Sequence, residues 1–499
     1  MATKDTTLVI EAPRQGIAQS PHVGFGAVVN MDITTVPGVV QLNNIMSKKS
    51  GTTVTAQPNW AVRHPIDPAQ VYVLDSAGTV YKSTDNGETW AVLSGTSSTN
   101  AHGNGLWIWK NYLFVARDTN LDVCGDGTSS GITSGNWTLG WKTIDSDVLW
   151  HPMITSKNDD KLYGGAGRYV FSIEELTTFA PGTGASYTFT QQALDLPSAY
   201  RIKCLRELGN NLMLGTWQGT NIYDIRIADI FPWDRSSPSF GQPIQMADYG
   251  IHAMENINET LYVLAGINGT IFKSDGVGTI PIGQLPQDLS GGKYLEFYPG
   301  AIMSYKNKLF FGVGQGGSTA ISGMGVYSLM QTGRGNVLTL EHTISTLNDG
   351  SANPLKPTAL LPISRDKCLI GWRDNTSYGI DVTNNTSYAY GTDYAGYFDS
   401  PLYVIGSLKA LKTFDFLNFE LGKLLASGEG IRMSYRKNLT ASFSVIGTFT
   451  HSIAGTTVLG AVLSHFQKSG ISEAETVQLR IALKGTSTTT PQFKSLMLQ

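Results

Sequence analysis

Cysteine is scarce. The chain has three in 499 residues, Cys124, Cys204 and Cys368, far apart, with no C-x-x-C pair and no histidine at zinc-ligand spacing. A disulfide framework and a Cys/His zinc site are thereby excluded as the basis of the fold. Charge is sparse as well: charged residues make up 15%, with 36 positive against 39 negative and a formal net charge of −3. A protein that held DNA or RNA by its phosphates would carry a basic excess or a Lys/Arg stripe, and neither is present. No uninterrupted apolar run reaches the ~18 residues that span a bilayer. The opening MATKDTTLVIEAPRQG lacks the basic-then-apolar order of a signal peptide. The expectation is a chain made in a cytoplasm, without a membrane anchor. Helical periodicity is almost missing, and the 20 prolines are too few for a collagen or a disordered linker.

What is abundant is glycine, 55 residues, within a chain that is 41% hydrophobic. That combination suits many short strands joined by tight turns. A weak repeat supports it. Val71-Tyr72-Val73-Leu74 followed by Gly78-Thr79-Val80-Tyr81-Lys82-Ser83 matches Leu261-Tyr262-Val263-Leu264 followed by Gly269-Thr270-Ile271-Phe272-Lys273-Ser274. Weaker copies begin at Tyr112, Leu162, Leu212, Leu309 and Cys368. Most starts lie roughly 40 to 60 residues apart, the length of one four-stranded propeller blade. The spacing predicts an all-β fold whose body is a β-propeller of about seven blades. Small residues such as Gly164, Gly165 and Gly215 are expected where strands crowd the axis. Three regions follow: an N-terminal arm over 1–20, the propeller over 21–396, and a C-terminal β-sandwich over 397–499. The sandwich rests on alternating stretches at 411–419, 430–436, 443–448, 456–466, 477–483 and 493–498. Near the start, two alternating stretches flank the turn dipeptide Pro37-Gly38.

One local motif is sharp. Ser83, Asp85, Gly87 and Trp90 fit S-x-D-x-G-x-x-W, the Asp box of sialidase-like and related propellers. Its Asp carboxylate accepts backbone N–H groups across the turn, Gly supplies positive φ, and Trp packs under the hairpin. This reads as structural. A sialidase would repeat the box and carry an F/Y-R-I-P motif near its start, whereas Tyr200-Arg201-Ile202-Lys203 lacks the proline and lies mid-chain. No acid and nucleophile pair is nominated by spacing. Gly127-Thr128-Ser129-Ser130-Gly131 matches G-x-S-x-G but sits in a Ser/Gly/Thr-rich stretch without the strand-to-helix context of a nucleophile elbow. Asp118, Asn120, Asp122 and Asp126 suggest calcium, yet Val123 and Ser129 stand where an EF-hand needs Gly and Glu. The eight histidines form no ligand pair, and no phosphate loop is present. No catalytic residue, metal site or cofactor is expected. Trp233, within Phe231-Pro232-Trp233-Asp234-Arg235, offers two readings: a stacking surface for a sugar ring or a partner, or a loop anchor on its own blade.

The two ends carry motifs of their own. At the start stand Ser20-Pro21-His22-Val23-Gly24-Phe25, Asn30-Met31-Asp32-Ile33 and Val36-Pro37-Gly38. Toward the end stand Ser400-Pro401, Lys412-Thr413-Phe414, Met433-Ser434-Tyr435-Arg436, Gly447-Thr448, Val477-Gln478-Leu479-Arg480-Ile481 and Pro491-Gln492-Phe493-Lys494-Ser495-Leu496. In these motifs both ends resemble tailed-bacteriophage virion structural proteins. The resemblance implies a non-enzymatic structural component of the tail, similar to the nozzle or hub proteins of short-tailed phages. Such proteins form a ring of about six copies around the DNA exit channel. The implied partners are copies of itself, other tail proteins (an adaptor or portal-proximal protein and a tail fibre), and passing DNA without specific binding. The implied location is the virion. Receptor-binding tail proteins use the same folds, so the alternative is attachment to a host surface glycan, and after it a sialidase-like glycan hydrolase.

Overall fold

Antiparallel pairing dominates the computed structural model, which describes residues 8–11 and 26–498, apart from 37, 52, 94–101, 146–149, 182–185, 220–226, 288, 290–292, 317–322, 333–334, 345–354, 376, 392, 405–411, 452–463 and 475. Every secondary-structure element among the described residues is a strand. The chain divides into two compact units: Ser47–Gly325 with Ser351–Thr383, and Met1–Met46 with Val326–Gly350 and Asn384–Gln499. These units interleave in sequence. They do not follow the expected cuts after 20 and 396, because Ala27–Val29 pairs with Gly396–Asp399 inside the second unit.

The larger unit is an all-β propeller with six four-stranded blades. Blade 1 comprises Pro58–Arg63, Val71–Asp75, Val80–Ser83 and Ala91–Val92, and blade 2 comprises Gly105–Trp109, Tyr112–Ala116, Asn120–Cys124 and Trp137–Thr143. Blade 3 is Met153–Thr155, Leu162–Ala166, Tyr169–Thr178 and Ser186–Asp195, and blade 4 is Tyr200–Leu208, Asn211–Gln218, Ile227–Trp233 and Ile244–Tyr249. Blade 5 holds Ile251–Ile257, Thr260–Ala265, Thr270–Ser274 and Thr279–Gln284. Blade 6 holds Leu355–Ser364, Lys367–Asp374 and Ser377–Thr383, and takes its fourth strand, Met46–Lys48, from the other end of the sequence. Between blades 5 and 6, Lys308–Gly316 pairs with both Tyr294–Glu296 and Ile302–Tyr305.

The repeat seen in the sequence is the second and third strands of blades 1 and 5. Val73 faces Tyr81 in one and Val263 faces Phe272 in the other, with Lys82 opposite Tyr72 and Lys273 opposite Tyr262. Why sheets recur becomes clear from the apolar layers between them, since no blade can bury both of its faces alone. Tyr72, Leu74 and Val80 of blade 1 share a cluster with Leu106, Leu113 and Val115 of blade 2. Phe114, Leu121 and Val123 of blade 2 pack on Met153, Leu162 and Phe171 of blade 3. Further layers join blade 3 to 4, blade 4 to 5, and blade 6 back to blade 1, where Val71, Val73 and Tyr81 meet Ile363, Leu369 and Val382. Gly215 belongs to this packing: a Cβ there would lie 2.4 Å from Cys204 Sγ and 2.9 Å from Ile251 of the next blade.

First strands neighbour one another in order, from Pro58–Arg63 through Gly105–Trp109, Met153–Thr155, Tyr200–Leu208, Ile251–Ile257, Ile302–Tyr305 and Leu355–Ser364, which packs back on Pro58–Arg63. The three cysteines are buried within these sheets and form no disulfide among the described residues.

In the second unit, one sheet runs Leu8–Glu11, Phe493–Leu498, Lys412–Leu421 and Ser464–Ala474. A further set of paired strands comprises Gly325–Thr332, Gly335–His342, Ala27–Val29, Gly396–Asp399, Thr476–Lys484, Gly430–Arg436 and Ser444–Thr450. Both contribute to one core, in which Phe398 lies 5.5 Å from Phe493 and Phe419 lies 4.7 Å from Phe449 between ring centroids. Met31–Asp32 pairs with Gln41–Leu42 across the turn at Gly38, which has φ of 74°. The expected arm is described only at Leu8–Glu11, a strand paired to Phe493–Leu498; the motif over 20–25, Pro37 and the expected strand positions 456–463 lie outside the described residues.

The aromatic layer between blades 2 and 3 generates the first prediction. Phe114 is fully buried, with its ring 5.6 to 6.1 Å from those of Phe179, Trp141 and Trp109. Phe114→Ala should lower the unfolding free energy by about 3–5 kcal/mol in denaturant titration. Val277→Ala, at a position 86% exposed, should change it by less than about 0.5 kcal/mol.

Candidate functional site

The Asp box turn follows directly from the third strand of blade 1. Ser83 Oγ donates to Asp85 Oδ1 at 2.7 Å and accepts the Gly87 N–H at 2.9 Å. Asp85 in turn accepts the Thr89 backbone N–H at 2.9 Å and the Thr89 hydroxyl at 2.6 Å. Burial alone would raise the Asp85 pKa, but the Thr89 and Ser83 hydrogen bonds outweigh it and hold the carboxyl below its ordinary value. The Trp90 indole N–H closes the turn on Gly87 O at 3.0 Å, and Gly87 has φ of 83°. The turn does more than finish a hairpin. Glu88 ion-pairs with Lys49 at 2.7 Å and with Lys367 of blade 6, while Gly87 abuts Val382 and Ile363. The box therefore sits where blade 6 meets blade 1.

Trp233 is corrected from one of its two readings. It is 2% exposed, its N–H donates to Ser237 O at 2.8 Å, and its ring stands edge-on to Tyr163 of blade 3 at 5.7 Å. A side chain this buried presents no face to a sugar or a partner, because the 230–245 insertion folds back over it. The Asp-rich stretch is likewise dispersed: Asp118 contacts His102 and Asn104, Asp122 pairs with buried Arg117 at 2.7 Å, and Asp126 caps Thr128. Among the described residues no three His, Cys, Asp or Glu side chains gather as a metal site. Ser129 lies in the loop between the last two strands of blade 2, where its carbonyl accepts from Gln70.

A cavity of about 270 Å³ opens instead within the propeller, lined from the leading ends of successive first strands. Asn59 of blade 1, Asn104 just before blade 2, Trp150 just before blade 3, Lys203 of blade 4, His252 of blade 5 and Glu296 all reach it. Lys203 is 2% exposed, and its Nζ donates to His252 Nδ1 at 2.7 Å. Burial lowers its pKa to about 8. His252 is held well below the usual histidine range by burial and by the Lys203 charge, so it is neutral and accepts from Lys203. Its ring stacks on Phe297 at 6.2 Å, and Lys203 Nζ lies 5.4 Å from the centre of Trp150. Glu296 takes Lys356 Nζ at 2.7 Å and the Tyr298 hydroxyl at 2.9 Å. Burying an ammonium without a carboxylate partner costs several kcal/mol, so this arrangement destabilises the fold locally.

None of these residues stands out in the sequence as a group, and Lys203 enters there only as part of a broken sialidase motif. A signal was present, since Ile202-Lys203-Cys204-Leu205, Ile251-His252-Ala253 and Leu295-Glu296-Phe297 each set one polar residue in an otherwise buried apolar strand.

In the second unit, Thr476–Lys484 alternates. Val477, Leu479, Ile481 and Leu483 enter the core, while Gln478 and Arg480 project from the other face. Arg480 makes a two-toothed pair with Asp399 at 2.6 and 2.8 Å. Gln478 donates to Ser400 O at 2.7 Å and accepts from Arg436 Nε at 2.7 Å. Phe443 is flanked by the guanidinium groups of Arg480 at 4.1 Å and Arg436 at 4.6 Å.

No protein-family profile matches the chain, and no curated protein matches it in sequence. Among solved structures it is similar to the WD40 repeats of RRP9, with 12% identity and TM-score 0.47 over 68% of this chain and 98% of that one. It is also similar to YCF48 from Cyanidioschyzon merolae, with 10% identity and TM-score 0.44 over 68% and 98%. A third is the computationally designed Ika8 protein, with 13% identity and TM-score 0.39 over 67% and 99%. Likenesses this remote say nothing of what the chain binds or does.

The buried lysine makes stability depend on pH in a defined direction. Its proton is held less tightly folded, at about 8, than at the ordinary lysine value of 10.5, so across that window the unfolded chain binds more protons. Stability contributed at this site therefore rises with pH through the window. In denaturant melts at stepped pH, wild type should gain stability relative to Lys203→Met between about 8 and 10.5. Equal slopes for the two proteins would contradict the assignment.

Proposed function

We propose that this chain is a non-enzymatic structural subunit of a bacteriophage tail, a nozzle- or hub-like ring component built from a seven-bladed propeller and a β-sandwich. The observation that carries the reading is convergence. Segments resembling tailed-phage virion proteins lie far apart in sequence, yet Met31, Met433, Leu479, Ile481, Phe493 and Leu496 share one core. The polar members of the same motifs, Ser400, Arg436, Gln478 and Arg480, bond to one another or to Asp399. Motif residues that cooperate in this way behave as one domain.

The seventh blade is supported by Ile302–Tyr305, which packs against Ile251–Ile257 on one side and Leu355–Ser364 on the other, as the first strands of blades do elsewhere. The sandwich is supported by two sets of strands contributing to one apolar layer about as a pair of facing sheets does. A subunit of this kind meets copies of itself head to tail, so two different surfaces interact and rotation closes the ring. Its further partners are an adaptor or portal-proximal protein and a tail fibre. With a net charge of only −3, DNA passes such a ring without being held.

Mass measurement and electron microscopy of the purified chain should give a closed ring of about six copies, and proteomics of intact tailed virions should detect the chain among the tail proteins. A peripheral trimer, or a chain that stays monomeric up to ~100 µM and is absent from virions, would overturn the proposal.

A further inference from the structure

The propeller cavity holds a positive charge that no carboxylate among the described residues pairs with directly. Among the described residues no carboxylate reaches Lys203 at ion-pair distance; its one hydrogen-bond partner is the neutral His252 ring. Among the described residues Glu296 is the one carboxylate in the cavity wall, and Lys356 already pairs with it at 2.7 Å. A second donor is also unanswered: the Trp150 indole N–H is buried and has no acceptor, on a residue 6% exposed. Two buried donors, one cationic, border the same cavity without an anionic acceptor. In a folded protein such groups are normally matched.

We propose that this cavity binds a small monocarboxylate with a ring-shaped body, one of whose carboxylate oxygens accepts from Lys203 while the other, or an oxygen on the ring, accepts from the Trp150 indole. Charge selects the headgroup. Lys203 supplies a single positive charge, which one carboxylate balances, whereas a phosphate dianion would leave excess negative charge beside Glu296. The walls select the body: Phe297, Tyr298, Leu295 and Ile267 offer flat and apolar surface, with the amides of Gln57 and Asn59 beside them. Size limits it to a single ring, because 270 Å³ falls just below the ~300–1,000 Å³ typical of ligand pockets. The inference stands apart from the tail reading and survives if that reading fails.

Isothermal titration of the full chain with benzoate, glucuronate, glucose and inorganic phosphate tests it. At least one of the two carboxylates should bind saturably at one per chain, with glucose and phosphate at least about tenfold weaker. Benzoate alone would mark an aromatic acid as the class, and glucuronate alone a sugar acid. Lys203→Met should weaken that binding at least about tenfold and Trp150→Phe about threefold. Trp150→Phe keeps an aromatic side chain while removing the indole N–H together with its five-membered ring, so it reports on the site even where Lys203→Met fails to fold. No saturable binding of either carboxylate up to ~10 mM, tighter binding of phosphate, or unchanged affinity in both variants would each overturn the proposal.

Discussion

Sheet faces pressed together across apolar layers are what the propeller depends on. In isolation each four-stranded blade exposes two faces, and burial of apolar surface at about 25 cal/mol per Å² is gained only against a neighbour. The layers are heterogeneous in detail. Between blades 2 and 3 the filling is aromatic, with Trp109, Phe114, Trp141 and Phe179 meeting at tilted and edge-on angles. Between blades 4 and 5 it is aliphatic and sulfur-rich, with Cys204, Met213, Met246 and Met254. What is constant is that every layer draws on two sheets, so the last face must find the first. Closure there is reinforced twice: Met46–Lys48 completes blade 6, and the Asp box of blade 1 reaches Lys367 through Glu88.

Closing the circuit has a chemical consequence. Equivalent positions near the leading ends of the first strands are brought to one place, so a polar residue recurring at that register meets its counterparts from other blades. Lys203 and His252 stand 49 residues apart and share a hydrogen bond. The same geometry withholds solvent from them, which lowers the pKa of both. A lone buried lysine is a poor choice for stability alone, since an apolar residue of similar volume would fill the position without the desolvation cost. Local rules are broken in this manner chiefly at functional sites.

How much of this was legible differs by kind of signal. The propeller was, because blade length and the pair at Val71 and Leu261 are properties of local sequence. The Asp box was also legible as a turn, but its link to Lys367 was not, since that requires knowing that blade 6 follows blade 1 around the ring. Trp233 was open to two readings because a Ser/Pro-rich surrounding is found both in exposed loops and in loops that fold back over an aromatic. The interleaved units escaped the boundary expectation for a topological reason: Ala27–Val29 pairs with Gly396–Asp399 and lies beside Gly335–His342, three segments that composition does not relate. For the cavity, the three polar residues in apolar strands were visible singly, and only closure brings them together.

The second unit shows how an alternating sequence motif can be read as physics. In Val477-Gln478-Leu479-Arg480-Ile481 the alternation is dictated by strand geometry: odd positions fill the core, and even positions face the other way. That opposite face is not simply solvated. Gln478 is buried, Asp399 is nearly so, and Arg480 is fixed by two hydrogen bonds to Asp399 while stacking within 4.0 Å of Tyr397. Guanidinium groups lying 4.0 to 4.6 Å from aromatic ring centres and hydrogen-bonded besides lose little further freedom on association. A face of this construction is rigid before any partner arrives, which reduces the ordering cost that would otherwise oppose assembly. In the ring subunit proposed above, rigidity of this face would matter more than its area.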